Sequence, residues 1–84
     1  MIRHGQYTVD GTTVKLSSTN GSPLNVRIHT TQKIFIGNSS AVSSSTGFLM
    51  DTGDNLEFLV ADNTEIWAIS NGATASVYVL ESIV

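Results

Sequence analysis

The sequence predicts an all-β fold, a small sandwich or jelly-roll-like barrel of about seven to nine short antiparallel strands. Three observations predict it. Serine and threonine are plentiful while charged residues make up only 13% of the 84 residues, a surface better suited to strands than to helices, which favour Glu and Lys. Apolar residues come in short runs, several alternating with polar ones at the two-residue period of a strand. Clusters of Gly, Asn, Asp, Ser and Thr separate these runs about every 8–12 residues, the turn spacing of sandwiches and barrels.

Each element can be justified in turn. Residues 1–6 precede the first turn-bounded run and are expected as a flexible arm, ahead of a single β domain over residues 7–84. Residues 6–9 and 13–17 flank Asp10-Gly11, a dipeptide that predicts a tight hairpin. In the second run Val14 and Leu16 face inward while Lys15 and Ser17 face water. Asn20-Gly21-Ser22-Pro23 is a loop containing the single proline. Leu24, Val26 and Ile28 then alternate with Asn25, Arg27 and His29, the cleanest amphipathic strand of the chain. Residues 33–37 form the next strand, and the serine-rich stretch 39–46 is expected to hold a short edge strand around Val42. Residues 47–50 and 56–61 predict a hairpin across 51–55. Residues 65–70 follow the turn Asp62-Asn63-Thr64, and Asn71-Gly72 opens a last hairpin into residues 75–81. No helix is predicted.

The later strands are apolar on both faces. Leu56, Phe58 and Val60 share one face while Leu59 and Ala61 take the other, and Tyr78 and Leu80 oppose Val77 and Val79. A sheet covered on one side needs no such pattern: either these strands sit centrally in a curled barrel or their second face meets another subunit, and in so small a chain the second is expected. Phe58, Leu59, Trp67, Tyr78 and Leu80 are the candidate interface residues. A chain this small buries a marginal core, and without cysteine it has neither disulfides nor thiolate metal sites. Association is the remaining route to stability.

Charge and motifs narrow the function. The net charge is −3, and the four Lys and Arg residues form no cluster, so no nucleic-acid partner is expected. No apolar stretch approaches the ~20 residues of a spanning helix, so no membrane partner is expected either. Asp51-Thr52-Gly53 resembles the aspartic-protease signature, but too little chain follows Gly53 for a flap and a bracing element. It reads as a polar turn. Asp51, Asp54, Asn55, Asp62 and Asn63 lack the ligand spacing of a calcium loop. His4 and His29 have no second ligand at metal spacing, and no serine has a histidine partner in a recognisable motif. No catalytic residue, cofactor or metal ligand is predicted. Tyr7, Trp67 and Tyr78 suggest sugar stacking, yet such aromatics anchor cores and interfaces more often.

One ordered series of short blocks carries a family likeness: Ile34-Phe35-Ile36-Gly37, Val42-Ser43, Gly47-Phe48-Leu49-Met50, Ile66-Trp67-Ala68-Ile69-Ser70 and Val77-Tyr78-Val79-Leu80-Glu81. With this series, residues 24–81 resemble the small all-β virion proteins of tailed bacteriophages, especially those that decorate or cement the capsid. The resemblance implies a non-enzymatic protein that binds between capsomers and stabilises the expanded head. Its partners would be the major capsid protein and itself, as a homotrimer. It would sit on the capsid surface after assembly in the bacterial cytoplasm. The alternative within the same virion class is a receptor- or glycan-binding module of a tail or head fibre. The arm, with the charge of Arg3, makes Ile2, Arg3, His4 and Gln6 the candidate capsid contacts.

Overall fold

The computed structural model describes residues 2–19 and 21–83. Among them the chain forms eight strands: β1 (Ile2–Val9), β2 (Val14–Ser18), β3 (Leu24–Thr30), β4 (Ile34–Gly37), β5 (Phe48–Met50), β6 (Asn55–Val60), β7 (Glu65–Ile69) and β8 (Ala75–Ile83). They make two four-stranded antiparallel sheets, with strand orders β1-β8-β3-β6 and β2-β7-β4-β5. This is the jelly-roll arrangement. β1 pairs with β8, β2 with β7, β3 with β6 and β4 with β5, so the chain is one long two-stranded ribbon whose tip lies between β4 and β5. Wrapping that ribbon around the core drops its successive rungs alternately into the two sheets.

The core follows from alternation. Val9, Leu16, Val26, Ile28, Ile34, Met50, Val60, Ala68, Val77 and Val79 are buried between the sheets, each large side chain contributing about 1.5–3 kcal/mol on leaving water. Inward and outward residues alternate along β3, β6 and β8 as the sequence predicts.

Several local expectations are corrected. The hairpins expected at Asp10-Gly11, at 51–55 and at Asn71-Gly72 are crossings between sheets, because β1, β6 and β8 belong to one sheet and β2, β5 and β7 to the other. A two-residue turn would hold its strands in a single ladder, and these longer connections span the gap of about 10 Å between packed sheets. Two of the crossings are tied together where Ser70 N donates to Asp10 O at 2.8 Å.

The expected N-terminal arm is also corrected. Residues 2–6 are the first part of β1, paired with β8 from Ile2↔Ser82 onward, so the ladder orders them; Met1 lies outside the described residues. No strand forms at Val42. The connection between β4 and β5 is a loop held by its own serines and threonine, with Ser43 N donating to Thr46 Oγ1 at 3.1 Å and Gly47 N to Ser43 O at 2.8 Å. Its apolar residue, Val42, is buried against two glycines. A Cβ on Gly37 would lie 2.7 Å from Val42 Cγ2, and one on Gly47 would lie 2.7 Å from Phe35 Cβ and 2.8 Å from Val42 Cγ2. Phe35 and Gly37 point away from the core, so this loop roofs part of the outer face of the β2-β7-β4-β5 sheet.

Ser17 is a further correction. Lys15 pairs with Trp67 and Ser17 with Ile66, leaving Leu16 as the extra residue of a β-bulge. Both Leu16 and Ser17 are consequently buried, whereas alternation alone puts Ser17 in water.

Candidate functional site

Directly paired residues on neighbouring strands share a face, so the registers define what the outer surface of the β1-β8-β3-β6 sheet presents. Three rows cross it from edge to edge. The first is Ile2, Ser82, Asn25 and Leu59. The second is His4, Leu80, Arg27 and Glu57. The third is Gln6, Tyr78, His29 and Asn55. Four large apolar side chains stand exposed on it: Ile2 at 71%, Leu59 at 61%, Leu80 at 46% and Tyr78 at 43%.

The second and third rows enclose a depression of about 330 Å³ lined by residues of all four strands. His29 lies beside Tyr78, with ring centroids 6.0 Å apart and planes tilted by 32°. Its Nδ1 is 3.0 Å from Asn55 Oδ1. An amide oxygen only accepts, so Nδ1 is the donor in this contact. Arg27 is exposed, and among the described residues its guanidinium makes no ion pair or side-chain hydrogen bond.

The candidate contact and interface residues fall into two groups. Ile2, His4 and Gln6 meet Leu59, Tyr78 and Leu80 on this one face. Arg3, Phe58 and Trp67 do not. Arg3 is paired with Glu81 on the inward side of β1 and β8, and its Nη2 donates to Glu81 Oε2 at 3.4 Å. Phe58 faces Val26 and packs against the core. Trp67 lies on the opposite sheet, where its Nε1 donates to Glu65 Oε1 at 2.9 Å and Lys15 Nζ sits 6.0 Å from its ring centre. Side-chain parity, fixed by strand pairing, decides each case.

Asp51 is at the surface of the turn from β5 to β6. Thr52 N donates to its Oδ1 at 2.9 Å, Asp51 N donates to Asp54 Oδ2 at 2.9 Å, and Gly53 takes φ 79°. Glycine populates that left-handed conformation without penalty. The aspartate's carboxylate therefore accepts from a local backbone donor, as a polar turn requires.

Sequence reasoning missed the linked set of Arg3, Ser17 and Glu81, in which Ser17 and Glu81 are buried and Arg3 is exposed. Ser17 Oγ donates to Glu81 Oε2, and Glu81 is only 9% exposed. The available signal was the alternation Val77, Val79, Glu81, which points the glutamate inward. The bulge that turns Ser17 to meet it has no local signature.

In comparisons with protein-family models, curated proteins and solved structures, nothing matches this chain.

Proposed function

We propose that this chain is a non-enzymatic capsid-decoration protein of a tailed bacteriophage, a homotrimer that binds between capsomers and stabilises the expanded head. The observation that carries the reading is the open outer face of the β1-β8-β3-β6 sheet, where exposed Ile2, Leu59, Tyr78 and Leu80 stand among polar residues. An apolar patch rimmed by polar groups is the usual mark of an interaction surface. The opposite sheet is partly roofed by its own loop, which leaves this face as the broader docking surface.

Decoration works by differential affinity. A protein that finds its full footprint only on the expanded shell shifts the equilibrium toward that shell by mass action. Local three-fold positions would match a three-fold oligomer. The test is re-binding of purified protein to unexpanded and expanded particles of the parent phage, with electron cryomicroscopy to locate it. Density at capsomer junctions of expanded heads alone is expected. Density confined to the tail, or equal occupancy of both shell states, would overturn the reading.

A second reading, a receptor- or glycan-binding module on the same virion, draws support from the depression between Gln6, Arg27, His29, Asn55, Tyr78 and Leu80. A concave site with a few convergent polar groups is the general form of a small-ligand site.

A further inference from the structure

We propose that this depression binds an acidic saccharide, a sugar residue carrying a carboxylate, with the ring seated on Tyr78 and the carboxylate held by Arg27. The inference goes beyond decoration. It rests on the second reading, that the outer face of the β1-β8-β3-β6 sheet binds a glycan, and names the ligand class.

Charge gives the first argument. Arg3 is occupied by Glu81 and Lys15 by Glu65, but Arg27 is exposed at the centre of the face without an ion-pair partner among the described residues. Glu57 sits opposite it in the β3–β6 register yet closes no pair within 4.0 Å. A guanidinium presents parallel donors whose spacing matches the two oxygens of a carboxylate.

The platform gives the second. Tyr78 is 43% exposed and leans against His29, with Leu80 two residues along the same face. An open aromatic face packs well against the C–H-rich face of a pyranose. Around it stand the amides of Gln6 and Asn55 and the imidazole of His29. Amides carry both donors and acceptors, which is what vicinal hydroxyls require.

Strand pairing favours a saccharide over an acidic peptide. An extended peptide binds a sheet through main-chain bonds at an edge. The depression lies over β8 and β3, the two central strands, whose ladders are already paired on both sides. Only side chains are on offer there. The volume of about 330 Å³ falls at the small end of the ~300–1,000 Å³ range of small-ligand sites, the size of one or two sugar rings.

The test is a titration of the ¹⁵N-labelled full chain with trigalacturonate, neutral galactotriose and a hexaglutamate peptide, followed by amide shifts. Trigalacturonate is expected to saturate shifts at Arg27, His29, Tyr78 and Leu80, with galactotriose binding about tenfold more weakly, the scale of one charge-assisted hydrogen bond. Arg27→Gln should bring the acidic sugar down to the neutral one, while Tyr78→Ala should weaken both. Lys33→Gln, which removes a positive charge in the β3–β4 loop, should change neither. The variants' dispersed spectra report whether each is folded. If hexaglutamate shifts these residues and neither saccharide does, the face binds but the ligand class is wrong. If no probe at millimolar concentration shifts them, or if Arg27→Gln leaves the acidic preference intact, the proposal falls. Neither result bears on capsid occupancy, which the particle-binding test reads independently.

Discussion

At the scale of residues, Asp51 and Glu81 are two carboxylates with opposite weight. Asp51 is exposed and bonds its own turn, so water replaces what a substitution removes. Asp51→Asn is expected to change stability by less than about 1–2 kcal/mol, the scale of one side-chain hydrogen bond. Glu81 is buried and accepts from Ser17 and Arg3, so removing a donor leaves a carboxylate oxygen short of a partner away from water. Ser17→Ala should therefore cost about 1–3 kcal/mol. Urea denaturation with an unchanged m-value checks both, since a constant slope means that stability alone has moved. A Ser17→Ala variant as stable as Asp51→Asn would show that the buried contact is worth no more than an exposed one. The Asp51 turn was legible in the sequence because Asp-x-Gly chemistry is local. The role of Ser17 was not, because it depends on one extra residue in β2.

At the scale of elements, the lesson is the difference between alternation and partnership. Alternation is written along a single strand, so the inward set Leu24, Val26 and Ile28 and the outward pair Tyr78 and Leu80 could be read directly. Partnership in a jelly roll is non-local, and nothing near Gln6 indicates that it will lie opposite Tyr78. That is why most strands were legible while the hairpins, the pairing of residues 2–6 and the three rows of the outer face were not. Deleting residues 2–5 now has a definite expectation. It strips the β1 ladder from Val79, Leu80, Glu81 and Ser82 of β8 and removes Arg3 from Glu81, so the truncated chain should melt lower by about 4–8 °C for each kcal/mol lost. An unchanged melting temperature would mean that this half of β1 adds nothing to the fold. The β4–β5 loop gives a second expectation. Because a Cβ on Gly37 would press on Val42, Gly37→Ala should destabilise the protein by about 1–3 kcal/mol. Val42→Ala should recover part of that loss, giving a coupling energy of about 0.5–3 kcal/mol in a double-mutant cycle. Simple additivity would show that Val42 does not pin this loop.

At the scale of the whole molecule, the two sheets divide the surface into faces with different chemistry. The outer face of β1-β8-β3-β6 mixes Arg27, two histidines and amides with exposed apolar residues. The outer face of β2-β7-β4-β5 offers Phe35, Leu49 and Ile69 in one register row, beside Trp67. Leu49 is 45% exposed even with the loop in place. A domain of this size gains much from covering such a strip, and an interface there would leave the first face free in every protomer. Three-fold association, in which each strip meets its neighbours head to tail around the axis, would also carry three copies of the outer face of β1-β8-β3-β6 in equivalent positions, the geometry of multivalent contact. Light scattering at micromolar concentration is accordingly expected to give a trimer. Leu49→Asp, which places a charge in that strip, should return the protein to a monomer with its fold retained. Leu80→Asp, on the other sheet, should leave the trimer intact while weakening attachment to expanded heads. A wild-type monomer at high concentration would remove self-association from the mechanism. A trimer broken by Leu80→Asp but not by Leu49→Asp would exchange the roles of the two faces.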